Sequence, residues 1–427
     1  MRPTFIGFLA NPAPAKPPGP NFTLPLPLPH LFVHNVAVGA GFAGSVSKLE
    51  DEVFMGNATQ PQTFIQKRIA SIDALRGFDM FWIAGGESII HAIYKVWPGS
   101  ATRALDAQFE HMPWAGFHFY DLIFPLFVFM VGIVLPFSLT RRVEEGADRR
   151  HLYRHIFQRF VLLFLFGLIY NGALDFNLQT LRIPGVLQRI AICYFISALV
   201  VMNTKIRTQA IVAGSILIVY WLIMKLVPVP GIGAGVITPE GNLAGYLDRL
   251  IIPFRFCCYT FGDNEGLLST LPAISTCLLG VLAGHWLRSA KYTPNQKVLG
   301  LAVAGVVSLL VAWVWSFNFP IIKNIWTSSF VLCAGGWSLL LLALFYWIID
   351  VRGYQRWAFF FKVIGMNSIT MYMANRIIDF ESITRFFIRG ILPIFGMLQP
   401  LVWSCSVIFT VWLFIYFLYR QKIFLRV

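Results

Sequence analysis

Residues 109–132 read FEHMPWAGFHFYDLIFPLFVFMVG, so a histidine, a tryptophan and an aspartate stand directly before one of the most apolar runs in the chain. An imidazole that a carboxylate holds in place is the commonest general base or transient nucleophile in proteins. Glu110 and Asp121 are the carboxylates within reach of His111, and Pro113 and Trp114 stiffen the loop between them. His118 lies in the same stretch without such neighbours. Asp121 has a second reading, as a cap on the helix that follows, where a negative charge favours the helix dipole. A lone loop histidine is more often solvated or structural, so its neighbours carry the argument.

Other costly residues lie inside apolar segments. An ionisable side chain at bilayer depth costs several kcal/mol unless it is paired or hydrated, which makes each one a functional candidate. Glu87 falls in DALRGFDMFWIAGGESIIHAI with Asp79 and His91, behind a Gly85–Gly86 pair that admits close approach. Pairing with an arginine on a neighbouring helix is the structural alternative for Glu87. LRIPGVLQR supplies Arg182, Gln188 and Arg189, and FGDNEGLLST supplies Asp263, Asn264 and Glu265. An arginine fork suits a phosphate or carboxylate, and clustered acids suit an amine or sugar hydroxyls. The same arginines and acids could instead pair with one another and lock helices together. Asn367, in GMNSITMYMANR, reads either as a site residue or as an interhelical hydrogen bond.

The elements that must position these residues are membrane helices. The chain is 57% hydrophobic and 13% charged, against roughly 25% charged for a soluble domain. About 20 apolar residues in a helix cross the hydrocarbon core, and the runs here lack the alternation of barrel strands. The expected fold is an all-α polytopic bundle of about ten spans, near 75–96, 121–140, 156–172, 186–203, 209–227, 266–287, 298–316, 327–349, 361–379 and 399–419. The segment 385–397 is too short and too interrupted by Gly and Pro to span, and reads as interfacial or re-entrant. The net charge of +14 sits in alternate loops, at 67–76, 141–155, 203–209, 288–297, 351–357 and the C-terminal end. By the positive-inside rule those loops are cytoplasmic, as are both termini, and nucleic acid is not the partner. The His111 loop then faces outward.

Residues 1–65 are a proline-rich extension, expected to be disordered, with NPAPAKPPGP and LPLPLPHL; the membrane domain is expected over 66–427. The extension has no signal-peptide pattern. Met55 is a natural alternative start, which an intact mass of the native protein would test. The six cysteines sit in or beside apolar segments without CxxC spacing, so neither zinc nor any other metal nor a disulfide framework is expected.

Several blocks occur in a fixed order: SIDALRGFDM, EHMPWAGFHFYDLIFPLFVFMVG, LRIPGVLQRIAICYF, GYLDR, DNEGLLSTLPAISTCLLGVLAG, PIIKNIWTSSFVL and GMNSITMY. In that order they resemble the transmembrane domain of the heparan-alpha-glucosaminide N-acetyltransferase family, and more closely its bacterial relatives. The resemblance covers roughly 68–420, and the luminal domain of the lysosomal enzyme has no counterpart in it.

The resemblance implies transfer of acetyl from cytosolic acetyl-CoA to the amine of a glucosamine-like amino sugar on the far side. His111, in the block EHMPWAG, matches the family's active histidine; Glu87 and Asp121 join it in the expected catalytic set on the reading of the residues themselves. Trp114, Asp263 and Glu265 are the expected substrate contacts. Arg76, Arg149, Arg150, Arg182, Arg189 and Asn367 are the expected contacts to CoA, and the dense basic loop 141–155 has a plainer reading as a topology determinant that meets anionic lipid. The family has asparagine where this chain has Glu87 and Ala115, which leaves the acceptor open. His111 either carries the acetyl group itself or deprotonates the acceptor amine; the residues allow both. The implied setting is a bacterial inner membrane, with the bilayer as partner and a homodimer admitted. The alternative is a secondary transporter of sugars or cell-wall fragments, which buried acids and glycine-broken helices also suit; against it, the two halves show no evident internal repeat.

Overall fold

The computed structural model describes residues 69–177, 179–252 and 256–425. The extension expected over 1–65 lies outside them. The described chain is an all-α bundle, and it is an integral membrane protein. Its first helix is broken: α1 (Ala70–Phe81) and α2 (Glu87–Val96) flank the wide turn 82–86. A short α3 (Ser100–Gln108) leads to the His111 loop and then to α4 (Phe119–Leu135), which runs on through 136–140 into α5 (Arg141–Glu144). There follow α6 (Arg149–Tyr170), α7 (Val186–Asn203), α8 (Ile206–Leu226), a hairpin of β1 (Pro228–Val229) and β2 (Gly233–Ala234), and α9 (Leu243–Ile251). A second hairpin, β3 (Cys258–Tyr259) with β4 (Gly262–Asp263), precedes α10 (Thr270–Arg288), α11 (Pro294–Ser316) and α12 (Ser328–Tyr346). The chain ends with α13 (Phe359–Met366), α14 (Ser368–Ile377), α15 (Phe380–Ile388) and α16 (Gln399–Arg420).

Eight helical stretches among the described residues are long and apolar enough to cross a membrane. The other two expected spans, 75–96 and 361–379, are broken helices. Gly85 takes φ 110, a left-handed value that suits glycine and interrupts the first of them. Asn367 (φ −125, ψ 29) separates α13 from α14. The broken helices pack on each other, because Gly77 faces the Phe361 carbonyl and Gly365 faces that of Asp73. Asp350, at the far end of the α12 stretch, accepts the N–H groups of Ala70 and Ser71 at 3.0 Å each and so satisfies orphan donors at the start of α1.

The core lies along α4 and α10. Gly132, Gly280 and Gly284 meet the carbonyls of Cys277, Phe129 and Ile133, where any side chain would collide, so these two backbones touch. By contrast α6, α8, α11 and α16 present Phe157, Ile211, Leu310 and Phe409 outward, as helices against lipid should. The cysteine expectation needs one correction. Adjacent Cys257 and Cys258, in the second hairpin, are bonded to each other, a pairing that spacing rules for framework disulfides do not anticipate.

Candidate active site

The His111 loop is short and pinned at both ends. Asp121, the third residue of α4, uses both carboxylate oxygens: Oδ2 accepts the N–H groups of His118 at 3.1 Å and Met112 at 3.3 Å, while Oδ1 lies 2.8 Å from His111 Nδ1. Both sequence readings of Asp121 therefore hold at once. It caps α4 and it orients the imidazole; Glu110 does not, and its backbone carbonyl instead meets His118 Nδ1 at 2.9 Å. Asp121 is fully buried while the His111 side chain is 50% exposed. A buried carboxylate beside Nδ1 selects the tautomer with hydrogen there and leaves the Nε2 lone pair as the reactive end of the ring. Tyr120 stacks on the imidazole, ring centres 4.7 Å apart.

A partner for this pair comes from far along the chain. The segment 317–327 lies beside the His111 loop: Ala115 bridges Ile322, and the Gly116 N–H donates to the Ile321 carbonyl at 2.9 Å. Thr327 folds the segment tightly, its hydroxyl donating to the Pro320 carbonyl at 2.8 Å and accepting the Ile322 N–H at 3.0 Å. This brings Lys323 Nζ to 2.8 Å from His111 Nδ1, 3.1 Å from Nε2 and 3.4 Å from Asp121 Oδ1. Burial pushes this ammonium below the ordinary lysine range, with Asp121 and Glu265 pulling back.

Glu87 belongs to the same neighbourhood. Its carboxylate lies against the Tyr120 phenol and near His91, which is itself held by Asp106 at 2.7 Å. The other Glu87 face borders a cavity of about 590 Å³ lined also by Ser88, Asn375, Arg376, Asp379 and Glu381. Tyr120 thus links Glu87 to His111, whereas the arginine partner considered from sequence is absent from the ion pairs among the described residues.

The expected substrate contacts are engaged elsewhere. Arg182 forks onto Asp263, with Nε at 2.8 Å and Nη2 at 2.5 Å, and also holds Glu265. Burial opposes a charge here, yet the two acids keep the guanidinium above its ordinary range. Asp263 also accepts the backbone N–H groups of Cys257 and Glu265 at 2.9 Å each. This is the helix-locking alternative, realised for Arg182. Trp114 donates to the Ile237 carbonyl at 2.9 Å and packs on Tyr259, which ties the His111 loop to the region around α9.

The expected CoA contacts do not assemble as one group. A cavity of about 300 Å³ runs beside α4 from Leu135 and Ser138 up to Phe127, walled by Arg76, Arg159, Leu163, Leu187, Ile190, Met366 and Ser368 among others. Arg76 lines it, and Asn367 lies between two residues that do. Arg149 and Arg150 stand at the exposed start of α6, where Asp148 caps the helix through the Arg150 N–H. Arg189 is buried, with Nη2 2.5 Å from Ser269 Oγ, 3.2 Å from the Gly266 carbonyl, and its guanidinium over Trp326. Of the arginines expected to contact CoA, Arg76 lines this cavity, and Arg149, Arg150, Arg182 and Arg189 are not among its lining residues.

Phe127 is six residues from Asp121, about 9 Å along the helix axis, so nearly two turns of α4 lie between the end of the cavity and the residue that holds the imidazole. Buried polar atoms without hydrogen-bond partners occur on the helices around that gap: both Asp79 oxygens, Trp82 Nε1, the Asn367 amide and Thr370 Oγ1. From α1 into the wide turn the order is Arg76 on the cavity, Asp79, then Trp82 against Phe109 and Phe119 beside the His111 loop.

Three residues escaped the sequence reading. Tyr120 was hidden in an apolar run, and Arg159 among arginines that read as topology determinants. Lys323 carried a usable signal, since it is a basic residue in a loop that the positive-inside pattern places outward.

Comparison with known proteins agrees with the order of motifs. Residues 68–230 match the family model described as "Domain of unknown function (DUF5009)". The chain is 27% identical over 378 residues to human heparan-alpha-glucosaminide N-acetyltransferase, and 27% identical over 374 residues to the mouse protein. Each match covers 75% of this chain and 55% of the relative, so the chain spans about half the length of the curated relatives it matches. The resemblance read from the motifs is thus found over most of the chain.

Proposed function

We propose that this chain is a transmembrane acetyltransferase that moves acetyl from cytosolic acetyl-CoA to the amine of an amino sugar at the opposite face, with His111 at the point of transfer. The observation that carries the reading is the alignment of two features on α4. The Asp121-held imidazole stands at its N-terminal end, and a cavity with two arginines climbs toward it from the other end. A nucleotide carries phosphates, which suit Arg76 and Arg159 near one face; the arm that bears the thioester is thin and amide-bearing, which suits the partnerless polar atoms of Asp79, Trp82, Asn367 and Thr370. Only the small neutral acetyl group then has to reach the far side.

Nε2 is the atom that acts. It bonds the acetyl carbon if transfer proceeds in two steps, or takes the amine proton if it proceeds in one. Glu87 and the polar cavity beside it suit an acceptor with an ammonium or hydroxyl groups. The names of the relatives and the motif order support glucosamine as the first acceptor to try; a bacterial inner membrane is the setting we propose from the motif resemblance alone.

The test is transfer of labelled acetyl from acetyl-CoA to glucosamine by the purified protein, beside His111→Ala. Label in the sugar with the parent and none with the variant is the expected result. Uptake of the sugar into vesicles without acetyl-CoA, and no transfer, would instead identify a transporter. Rapid quench without acceptor separates the two routes, since only the two-step route accumulates acetyl-enzyme.

A further inference from the structure

We infer that Lys323 Nζ is the oxyanion-binding group of this site: it holds the acyl oxygen of the thioester while His111 Nε2 adds to the acyl carbon. The inference deepens the acetyl-transfer reading and rests on it. A lysine side chain left only 12% exposed is uncommon, and the 3.4 Å contact to Asp121 is too long to account for it alone. Asp121 is already occupied by the imidazole and two backbone N–H groups. With hydrogen on Nδ1, the ring has one lone pair, on Nε2, and the ammonium stands against the ring, 2.8 Å from Nδ1 and 3.1 Å from Nε2.

That position suits a donor to the oxygen generated there. In the addition step the Nε2 lone pair forms the N–C bond and the carbonyl π pair moves onto oxygen. This oxygen is two bonds from Nε2, within hydrogen-bond reach of a cation already beside that nitrogen. As the intermediate collapses, the C–S bond breaks and CoA leaves as a thiolate, opposite in charge to the acetyl-imidazolium. The acceptor amine then adds, the C–Nε2 bond breaks, and the surplus amine proton neutralises the thiolate, so atoms and charge balance. Because the ammonium stands against the ring and not on the axis of the Nε2 lone pair, it leaves that pair open to the acyl carbon while its N–H groups stay beside the bond that forms. The loop bridge at Ala115 and Ile322 and the Thr327 hydrogen bonds hold Nζ in place beforehand, so no reorganisation is required.

The charged groups facing Lys323 are His111 from its own loop, Asp121 from α4 and Glu265 from the turn before α10. Burial lowers the ammonium relative to free lysine, so the parent rate is expected to fall on the alkaline side at a pH below ~10.4 as Lys323 loses its proton.

The experiment measures kcat and KM for acetyl-CoA against pH for the parent, Lys323→Gln, Lys323→Arg and His111→Ala, with thermal unfolding of each. Lys323→Gln is expected to lower kcat about 10²–10³-fold with KM and unfolding temperature unchanged. Lys323→Arg is expected to recover part of that rate and to lose the alkaline limb, because a guanidinium stays charged. Lys323→Gln at the parent rate overturns the inference while leaving acetyl transfer standing, and so does an equal loss in both lysine variants with a raised KM, which would mark a structural role. No transfer by the parent to any amine tested overturns the function itself.

Discussion

Arg182 and Lys323 both lie in loops that the charge pattern places on the outer face, and both meet buried carboxylates, but they are satisfied to different degrees. Arg182 has a bidentate fork on Asp263 and a second acid in Glu265, and the backbone fills the remaining Asp263 valences. Lys323 has one long carboxylate contact and an imidazole whose own carboxylate is already engaged. A closed network of this kind holds loops and helices together. An ammonium and an imidazole nitrogen left with unused valences can hold something else. The residue types alone do not separate the two cases, since each is a basic side chain among acids.

Four substitutions sharpen that contrast. His111→Ala is expected to abolish acetyl transfer while leaving thermal unfolding unchanged, because the imidazole is half exposed and its partners remain capped; unfolding at a much lower temperature would assign it to the structural class. Arg182→Gln is expected to do the reverse, costing about 3–5 kcal/mol of stability by leaving buried acids without their cation. A stable Arg182→Gln protein that fails only in catalysis would break the comparison. Asp121→Asn keeps the shape of the cap but replaces the acceptor of Nδ1–H, and a loss of about 10²-fold in kcat is expected, a size typical of an impaired acid–base group. Arg159→Gln is expected to have the smallest effect: about a tenfold rise in KM for acetyl-CoA with kcat unchanged, as for one charge-assisted hydrogen bond to phosphate. An unchanged KM would remove the cavity from the proposed CoA path.

The bundle was legible because apolar length and basic loops report directly on the membrane, and His111 with Asp121 was legible because ten residues and one helix start bring them together. Lys323 was not, since it reaches the site across 212 positions through a loop bridge that leaves no local pattern. Arg182 misled for a related reason: it carries the fork that phosphate wants, and only the fold shows that Asp263 and Glu265 already occupy it. Arg189 engages Ser269 and the Gly266 carbonyl through Nη2 alone, and its Nε and Nη1 meet no hydrogen-bond partner among the described residues. Arg159 was the opposite case, masked by neighbours whose charge has a simpler role. Breaks in the first and ninth expected spans were half visible: the glycine pair at 85–86 announced one, while nothing about Asn367 distinguished a break from an interhelical hydrogen bond.

The bridge between Ala115 and Ile322 has a consequence for the order in which the site is made. His111 and Asp121 can meet as soon as α4 forms, while the nascent chain still lacks its second half. Lys323 arrives only after α7, α8, α10 and α11 have been threaded and docked, a contact with the high loop-closure cost of distant pairs. A half-inserted chain therefore carries an oriented imidazole but no cation beside it. Competence comes last, when the bundle has closed around the cavity.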